Sequence, residues 1–390
     1  MAAAGEAHQR QYLPKEPLMK LRNLDMLRAC LALMVLIGHA RWLLWMPWHE
    51  WKTLPHAAYE WALATGFSVF RFGAQAVTVF FALSGFFIHL KAATPGTGID
   101  FSTPEYLKRR ARRILPPYYA ALILTVLLDT VGGRFFPEVY TSTTGDALID
   151  DTFLRSGYSM QSMVPALLAQ PALLGIHFGT NHPLWSIRNE VFYYALYPLF
   201  MLAWVRSRWL AYGTGFTLSL SCWFWPLAGC WSGMLAGYPF WLAGALLAEF
   251  LSVRRPLPRL WFWGMLALSA GSLCLTDSPL AKSLPLLNLP LGMLLGASTI
   301  AVFESLPARL LQTRAGRLLE WLGLRSYSLY IFHFPVLVLL SSALFHSMGS
   351  RPNHGWFAVA GTLLSLLVGL VGFHLVERRF LSVQRQASYS

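Results

Sequence analysis

The chain has 390 residues, of which 55% are hydrophobic and only 13% are charged. A soluble protein usually carries about 25% charged residues, so this composition leaves too few charges for an ordinary water-facing surface and excludes a set of soluble domains. The net charge of +13 does not indicate a nucleic-acid binder. Its basic residues fall in short clusters between apolar runs, where they act as topology signals in a membrane protein.

Apolar runs long enough to cross the roughly 30 Å hydrocarbon layer of a membrane follow one another along almost the whole chain. They cover residues 27–47, 64–90, 113–131, 189–205, 209–228, 231–250, 259–277, 285–304, 322–345 and 356–377. The first run lacks a small-residue cleavage site, so we expect it to stay as a signal-anchor. A further apolar stretch, 160–178, is interrupted by Pro165, Pro171 and Gly175, and we expect a short interfacial or re-entrant piece there. The sequence therefore predicts an all-α polytopic bundle of about ten transmembrane helices.

The distribution of lysine and arginine predicts that both termini lie in the cytoplasm. With ten spans and the N-terminus inside, most basic residues fall in cytoplasmic segments, and every internal loop obeys the positive-inside rule. The predicted divisions are cytoplasmic tails at 1–26 and 378–390 and a transmembrane domain at 27–377, with a long outer loop at 132–188.

The first apolar run carries ionisable residues on one face. Arg28 and His39 are eleven residues apart, close to three helical turns, so both point the same way, and Asp25 lies one turn before Arg28. An ionisable side chain inside a span indicates a functional site by default, and a neutral imidazole there can act as a general base. The alternative is an interhelical hydrogen bond, which a lone histidine in a span often makes.

Later segments place further polar groups near the membrane. Ser84-Gly85 near the end of the second run lets another backbone approach closely. Residues 108–113 contain five basic residues, which suit either phosphate groups or a topology anchor. Arg188 and Glu190 lie where the chain re-enters the membrane, and His333 lies in the ninth run. The chain contains no metal-ligand spacing, phosphate-binding Gly loop or Gly-x-Ser-x-Gly elbow.

Together and in this order, these segments resemble the acyltransferase type 3 family of membrane-bound O-acyltransferases, from about residue 21 to residue 380. The motifs begin with Leu-Asp-x-Leu-Arg at 24–28 and His39, followed by Phe-Phe-x-Leu-Ser-Gly-Phe at 80–86 and Arg-Arg-Ile-x-Pro-x-Tyr-Tyr at 112–119. Leu-Trp-Ser at 184–186 with Glu190, Ser-Tyr-Ser-Leu-Tyr at 326–330 with His-x-Pro at 333–335, and Val-Glu-Arg-x-Phe at 376–380 complete the set. Each motif is weak alone, but six in register are a strong signal.

Members of that family move an acyl group, usually acetyl from cytoplasmic acetyl-CoA, onto a hydroxyl of an extracytoplasmic or lipid-linked glycan. The resemblance implies that His39 is the catalytic histidine and Glu190 a site carboxylate, and that Arg28 with the basic stretch 108–113 helps to hold CoA. We therefore assign catalytic roles to His39, Glu190 and Asp25. We assign CoA binding to Arg28, Arg109, Arg110, Arg112, Arg113, Ser84 and Tyr119. Acceptor binding is assigned to Trp185, Ser186, Arg188, Tyr330 and His333, and no metal is expected.

Two positions depart from the family pattern. Many members have paired acids at the position of Glu190, whereas Val191 replaces the second acid here. The Ser-Gly-Phe run usually follows an acidic segment, where this chain has Val77-Thr78-Val79. The roles of those acids are therefore not carried over. The chain also ends after the tenth run, so the fused extracytoplasmic hydrolase-like domain of some relatives is not expected.

The sequence thus predicts an O-acyltransferase, most often an O-acetyltransferase, of the bacterial inner membrane that acts on a polysaccharide or another glycan. Its expected partners are membrane lipids, acetyl-CoA and the glycan acceptor, with a polysaccharide assembly machinery as a further candidate and no nucleic acid. His39 would serve either as general base for the acceptor hydroxyl or as a transient acyl carrier.

Two alternatives from other functional classes stay open. A glycan or lipid transporter (flippase) would also line its path with intramembrane charges, and it predicts internal pseudo-symmetry and broken helices. A non-catalytic scaffold in a polysaccharide export complex predicts that Arg28 and His39 tolerate substitution.

Overall fold

The computed structural model describes residues 15–94, 101–224, 230–253 and 259–381, and these residues form helices joined by turns. Two short strands, Ser156–Gly157 (β1) and His177–Phe178 (β2), pair in parallel. The predicted all-α class is confirmed. Most of the predicted C-terminal tail and the first part of the N-terminal tail lie outside the described residues.

Long helices make up most of the described chain, and short helices connect them. The first half contains α1 (Lys15–Leu44), α2 (Trp48–Trp51), α3 (Ala58–Ser68), α4 (Gly73–Ala93), α5 (Thr103–Phe135), α6 (Ala147–Phe153) and α7 (Met160–Leu167). The second half contains α8 (Trp185–Arg206), α9 (Arg208–Phe224), α10 (Cys230–Val253), α11 (Arg259–Thr276), α12 (Pro279–Ser283), α13 (Asn288–Glu304), α14 (Arg314–Gly323), α15 (Ser326–Met348), α16 (Trp356–Gly372) and α17 (Arg378–Phe380). Short 3-10 turns lie at Val69–Arg71, His182–Leu184, Pro285–Leu287 and Ala308–Gln312, and a π-helical turn at Phe373–Glu377 joins α16 to α17.

Among the described residues, 7 helices are long and apolar enough to cross a membrane. These spans are Arg22–Leu44, Gly73–Ala93, Thr103–Phe135, Gly233–Val253, Pro285–Glu304, Ser326–Met348 and Trp356–Phe380. The other predicted spans, at 189–205, 209–228 and 259–277, fall on α8, α9 and α11, and residues 225–228 of the second span lie outside the described residues. Helix α9 is described as far as Phe224, where the described residues are interrupted. The chain is therefore a multi-pass membrane protein, and the count of ten spans stays a prediction.

The predicted second run, 64–90, is divided in the structure. Helix α3 ends at Ser68, the chain turns, and the spanning helix α4 begins at Gly73. The turn packs against Gly38 of α1, where an added methyl carbon would lie 2.5 Å from the carbonyl oxygen of Phe70. Hydropathy could not locate this break because apolar residues flank it on both sides.

The interrupted stretch 160–178 contains one helix, α7, and the short strand β2 at its end; α7 has 8 residues and is too short to cross a membrane. After α7 the chain turns through Ala169, Ala172 and Gly175, whose φ angles are 56°, 58° and 75°. The interruptions by proline and glycine therefore correspond to a short helix followed by turns.

Helices α4 and α10 approach each other at two glycines. A methyl carbon added to Gly85 would lie 2.0 Å from the carbonyl oxygen of Trp241, and one added to Gly244 would lie 1.7 Å from that of Ala82. The close backbone approach expected at Ser84-Gly85 is therefore confirmed. Small residues allow such contacts in membranes, where packing replaces the hydrophobic driving force.

Both ends of the described chain lie at the same end of the bundle. Arg22 near the start of α1 pairs with Glu320 of α14, with Nη2 2.7 Å from Oε2. Glu377 near the chain end accepts a hydrogen bond from the backbone of Ser328 (3.1 Å), just after α14. We call this the basic end, and we call the opposite end, where Trp45, Trp48 and Trp51 cluster, the aromatic end.

Buried polar contacts fix the segment between α5 and α8 against the bundle. Asp129 of α5 accepts hydrogen bonds from the backbone N–H (2.9 Å) and hydroxyl (2.6 Å) of Thr180. The side chain of Asn181 donates to the carbonyl of Ile331 in α15 (3.0 Å). Because unsatisfied buried polar groups are costly, these bonds hold the adjoining 3-10 turn in one position.

The glycine contacts lead to a stability prediction. We expect Gly244→Ala to destabilise the protein by about 1–3 kcal/mol, because the added methyl overpacks a backbone contact. The matched control is Gly264→Ala in α11, where nothing lies within 4 Å of the added carbon. Alanine there improves helix propensity, by up to about 1 kcal/mol. Thermal unfolding of both purified variants measures the difference, and equal melting temperatures would contradict the packing described here.

Candidate active site

A pair of histidines joins α1 to α15. Nδ1 of His39 lies 2.9 Å from Nε2 of His333, and the two rings are nearly parallel, with centroids 5.2 Å apart. His333 is fully buried, and its Nδ1 lies 2.7 Å from the carbonyl oxygen of Tyr330. The interhelical hydrogen bond considered from the sequence is therefore present, and its partner is a second histidine.

The hydrogen bonds define where the protons lie when both rings are neutral. The carbonyl of Tyr330 can only accept, so Nδ1 of His333 carries the hydrogen and its Nε2 has a lone pair. Nδ1 of His39 must then donate to that lone pair. Nε2 of His39 is left with a free lone pair, and it makes no hydrogen bond to the described residues. His39 lines a cavity, so this nitrogen can accept a proton from a bound group.

A cavity at the basic end, which we call the basic cavity, collects most of the predicted donor-binding residues. It has a volume of about 190 Å³, and Arg28, Arg110, Arg113, Ser84 and Glu190 are among its lining residues. Arg28 pairs with Asp25 at 2.6 Å and lies over the ring of Phe87, 4.2 Å from its centroid. Three guanidinium groups around one small cavity can bind phosphate groups.

The basic run 108–113 divides between two faces of α5. Arg110 and Arg113 are three residues apart and line the basic cavity, whereas Arg109 and Arg112 are exposed. Arg109 instead approaches Glu105 of the preceding turn at 3.6 Å. Of the four arginines predicted to bind CoA in this run, the structure therefore brings two to the cavity and leaves two outside it.

Glu190 faces the arginines across the basic cavity. It accepts a short hydrogen bond from the hydroxyl of Tyr194, one turn later in α8, and Ser84 donates to that hydroxyl at 3.4 Å. A buried carboxylate is stable only when it is paired or hydrogen-bonded. Arg110 and Arg113 line the same cavity, so Glu190 partly compensates their charge.

A second and larger cavity, which we call the aromatic cavity, opens beside His39. It has a volume of about 1000 Å³, and its lining residues include His39, Trp42, Trp48, Trp185 and His182. Tyr330 and Val77 line both cavities and therefore separate them. The two cavities thus meet at a wall next to the histidine pair.

His182 is a neutral group at the aromatic cavity. Burial first, and then the neighbouring His177, lower the pKa of His182 well below its usual range, and burial lowers that of His177 to about 4. The two rings stack with centroids 3.9 Å apart, and Nε2 of His182 lies 2.7 Å from the hydroxyl of Ser156. His182 therefore offers hydrogen bonding without adding charge to the cavity.

Two predicted acceptor-binding residues at the start of α8 lie on different sides of the wall. Trp185 lines the aromatic cavity, and Ser186 lines the basic cavity. The hydroxyl of Ser186 lies 2.8 Å from that of Tyr330 and so fixes the tyrosine side chain in the wall.

Four other predicted site residues do not line either cavity, and one of them, His333, contacts the site through its hydrogen bond with His39. Asp25 contacts the site only through its ion pair with Arg28. The hydroxyl of Tyr119 donates to the carbonyl of Leu167 (2.8 Å), which ties α5 to the end of α7. Arg188 is buried and donates to the carbonyl of Ala172 (2.8 Å), so it anchors a turn with a positive φ angle. The structure thus gives Tyr119 and Arg188 structural contacts, and their predicted substrate contacts stay predictions.

Among the cavity residues that sequence reasoning missed, four polar ones stand out. These are Tyr194 in the basic cavity and His182, Arg41 and Arg351 in the aromatic cavity. Tyr194 lies one turn after Glu190, so helical spacing could have found it. His182 lies just before Trp185, but a loop histidine carries no periodic signal. Arg351 reaches the site from the segment that follows α15, a tertiary contact that no local pattern shows.

The site combines a basic cavity with three arginines, an adjoining aromatic cavity and a histidine with a free ring nitrogen, so it has the groups that a membrane-embedded transferase would need. Comparison with known proteins agrees with this class. The family described as an acyltransferase domain matches residues 21–374. The chain therefore belongs to this acyltransferase family, and the resemblance found from the motifs is confirmed.

Curated relatives carry a more specific name. The chain is 23% identical over 347 residues to peptidoglycan O-acetyltransferase OatA of Listeria monocytogenes, which covers 83% of this chain and 52% of the relative. It is 24% identical over 355 residues to YrhL of Bacillus subtilis, provisionally named a peptidoglycan O-acetyltransferase, over 77% of this chain and 49% of the relative. The chain thus spans about half the length of these relatives. No solved structure matches it.

Proposed function

We propose that the protein is an integral membrane O-acyltransferase that transfers an acetyl group from acetyl-CoA to a hydroxyl of a bacterial polysaccharide or lipid-linked glycan. The observation that carries the proposal is the position of Arg28 and His39 on one face of α1. Arg28 lines the basic cavity and His39 lines the aromatic cavity, and Tyr330 stands between the two. A donor and an acceptor in these cavities would meet beside His39.

The proposed donor is held by the basic cavity. Arg28, Arg110 and Arg113 would bind phosphates of CoA by charge-assisted hydrogen bonds. The cavity volume of about 190 Å³ is below the roughly 300–1,000 Å³ of most ligand pockets. Only the narrow arm that ends in the thioester would therefore enter it, and the nucleotide would stay at the mouth.

The proposed orientation follows from the charges. The positive-inside rule favours the basic end on the cytoplasmic side, where acyl-CoA is made available. The aromatic end, with its tryptophans, would face the outside of the bacterial inner membrane. The acceptor glycan would then reach His39 from the outer side.

The proposed chemistry uses the free Nε2 of His39. As general base, this nitrogen takes the proton of the acceptor hydroxyl while its oxygen bonds to the thioester carbonyl carbon. The C–S bond then breaks, and the thiolate of CoA leaves with the proton returned by the imidazolium. As acyl carrier, the same nitrogen would first attack the thioester carbonyl carbon, and the C–S bond would break with release of the CoA thiolate. The acceptor oxygen would then attack the acyl carbon, the bond from Nε2 to that carbon would break, and the hydroxyl proton would go to the thiolate. In both routes the hydrogen bond to His333 strengthens when positive charge develops on His39.

The first prediction about function concerns His39. We expect His39→Ala to reduce acetyl transfer in proteoliposomes by a factor of about 10²–10⁴, the contribution usual for a positioned acid–base group. The control is His49→Ala, since the side chain of His49 is 77% exposed. Labelled acetyl-CoA and a glycan acceptor measure the transfer. Full activity of a folded His39→Ala protein would overturn the proposal.

The second prediction about function compares arginines on the cavity-facing side of α5 with arginines on its exposed side. We expect the double variant Arg110→Gln, Arg113→Gln to raise the KM for acetyl-CoA at least about tenfold, because each lost charge-assisted hydrogen bond is worth about 1.5–3 kcal/mol. The matched control, Arg109→Gln with Arg112→Gln, removes the same charge from the exposed face of the same helix. If the two double variants show the same KM, the basic cavity does not hold the donor.

A further inference from the structure

Three arginines line the aromatic cavity, and one of them, Arg41, has no acidic partner among the described residues. Arg41, Arg71 and Arg351 all line it, and none of its described lining residues is Asp or Glu. Arg71 lies at the rim and approaches Asp277 at 3.3 Å. Arg41 and Arg351 lie deeper in the cavity, where a bound molecule would contact them.

Arg41 has no carboxylate partner among the described residues. Its Nη1 donates to the backbone carbonyls of Trp45 (3.2 Å) and Met46 (2.9 Å) at the end of α1, and its guanidinium lies over the ring of Trp45. These contacts leave the full positive charge uncompensated beside the cavity. A charge held in a membrane protein without a counter-ion indicates a functional contact.

Arg351 adds a second, more buried guanidinium. Its side chain is held by Asp146 (2.5 Å) and by the carbonyl of Trp42 (2.9 Å). Its Nε is buried without a hydrogen-bond partner, although a buried donor normally has one. An anion in the cavity would supply an acceptor for such a donor.

We propose that the aromatic cavity selects an acceptor that carries a negative charge, with Arg41 and Arg351 binding the anion and aromatic side chains contacting the sugar rings. The inference rests on the proposed function, because it assigns the acceptor's hydroxyl to the free nitrogen of His39. A guanidinium binds carboxylate and phosphate alike. The anion is therefore either a carboxylate on the glycan or the diphosphate of a lipid-linked saccharide.

The test is a binding measurement on the full chain in nanodiscs, and it does not need catalysis. The probes are a tetrasaccharide of alternating N-acetylglucosamine and glucuronic acid, a neutral N-acetylglucosamine tetrasaccharide, and N-acetylglucosamine linked to a short isoprenyl diphosphate. Calorimetry gives the affinity of each probe for the wild type and for His39→Ala. Since His39→Ala loses the same hydroxyl contact with every probe, its preference for a charged over a neutral probe should persist while transfer is lost, so loss of the proposed function and loss of anion binding are distinguishable.

The variants isolate the charge. Arg41→Gln keeps a donor for the carbonyls of Trp45 and Met46 but removes the charge, Arg41→Lys keeps the charge, and Arg351→Gln tests the second arginine. The control is Lys52→Gln, which removes an exposed charge at the aromatic end. Melting temperatures show whether each variant is folded, and Arg41→Gln keeps the test decisive if Arg351→Gln unfolds.

We expect one charged probe to bind at least about tenfold more tightly than the neutral one, the scale of one charge-assisted hydrogen bond. Preference for the acidic tetrasaccharide identifies a sugar carboxylate, and preference for the isoprenyl diphosphate identifies a lipid-linked phosphate. We expect Arg41→Gln to abolish the preference and Arg41→Lys and Lys52→Gln to retain it. Equal affinity for charged and neutral probes, no binding of any probe, or an unchanged preference in Arg41→Gln would overturn the proposal.

Discussion

The hydrogen bond between His39 and His333 is the contact on which the rest of the site depends. It links α1 to α15 through two side chains, and the carbonyl of Tyr330 fixes the orientation of the second ring. The carbonyl oxygen of Tyr330 can only accept a hydrogen bond, so Nδ1 of His333 donates to it and Nδ1 of His39 donates to His333. Nε2 of His39 is therefore left with a free lone pair. Without His333 the imidazole could rotate and present either nitrogen, so the pair defines both the position and the tautomer of the proposed catalytic group.

The two cavities differ in size and character, and they divide the proposed reaction between them. The basic cavity is small and holds arginines with a compensating carboxylate, whereas the aromatic cavity is about five times larger, at about 1000 Å³ against about 190 Å³. In the proposed reaction, a narrow thioester arm would enter the basic cavity and a sugar would enter the aromatic cavity. Since Tyr330 belongs to both walls, the acyl group would need to pass this one side chain, which Ser186 holds by a hydrogen bond.

Much of this arrangement could be predicted from the sequence because it depends on local spacing. The common face of Arg28 and His39 follows from eleven residues of helix, and Gly85 allowed the close approach of another backbone. Tertiary features could not be predicted in this way. A run of five basic residues does not say which of them face inward, so Arg109 and Arg112 were assigned with Arg110 and Arg113. The pairing of His39 with His333 joins residues almost 300 positions apart, and no periodic pattern links them.

The protonation of the histidine pair tests the central claim most directly. Solid-state ¹⁵N NMR of histidine-labelled protein in lipid distinguishes protonated from unprotonated ring nitrogens, and the variants His39→Gln and His333→Gln assign the signals. At neutral pH the account predicts that both rings carry hydrogen on Nδ1 and that both Nε2 nitrogens are unprotonated. A hydrogen on Nε2 of His39 would contradict it, because that nitrogen could then neither accept a proton from the acceptor nor carry the acyl group.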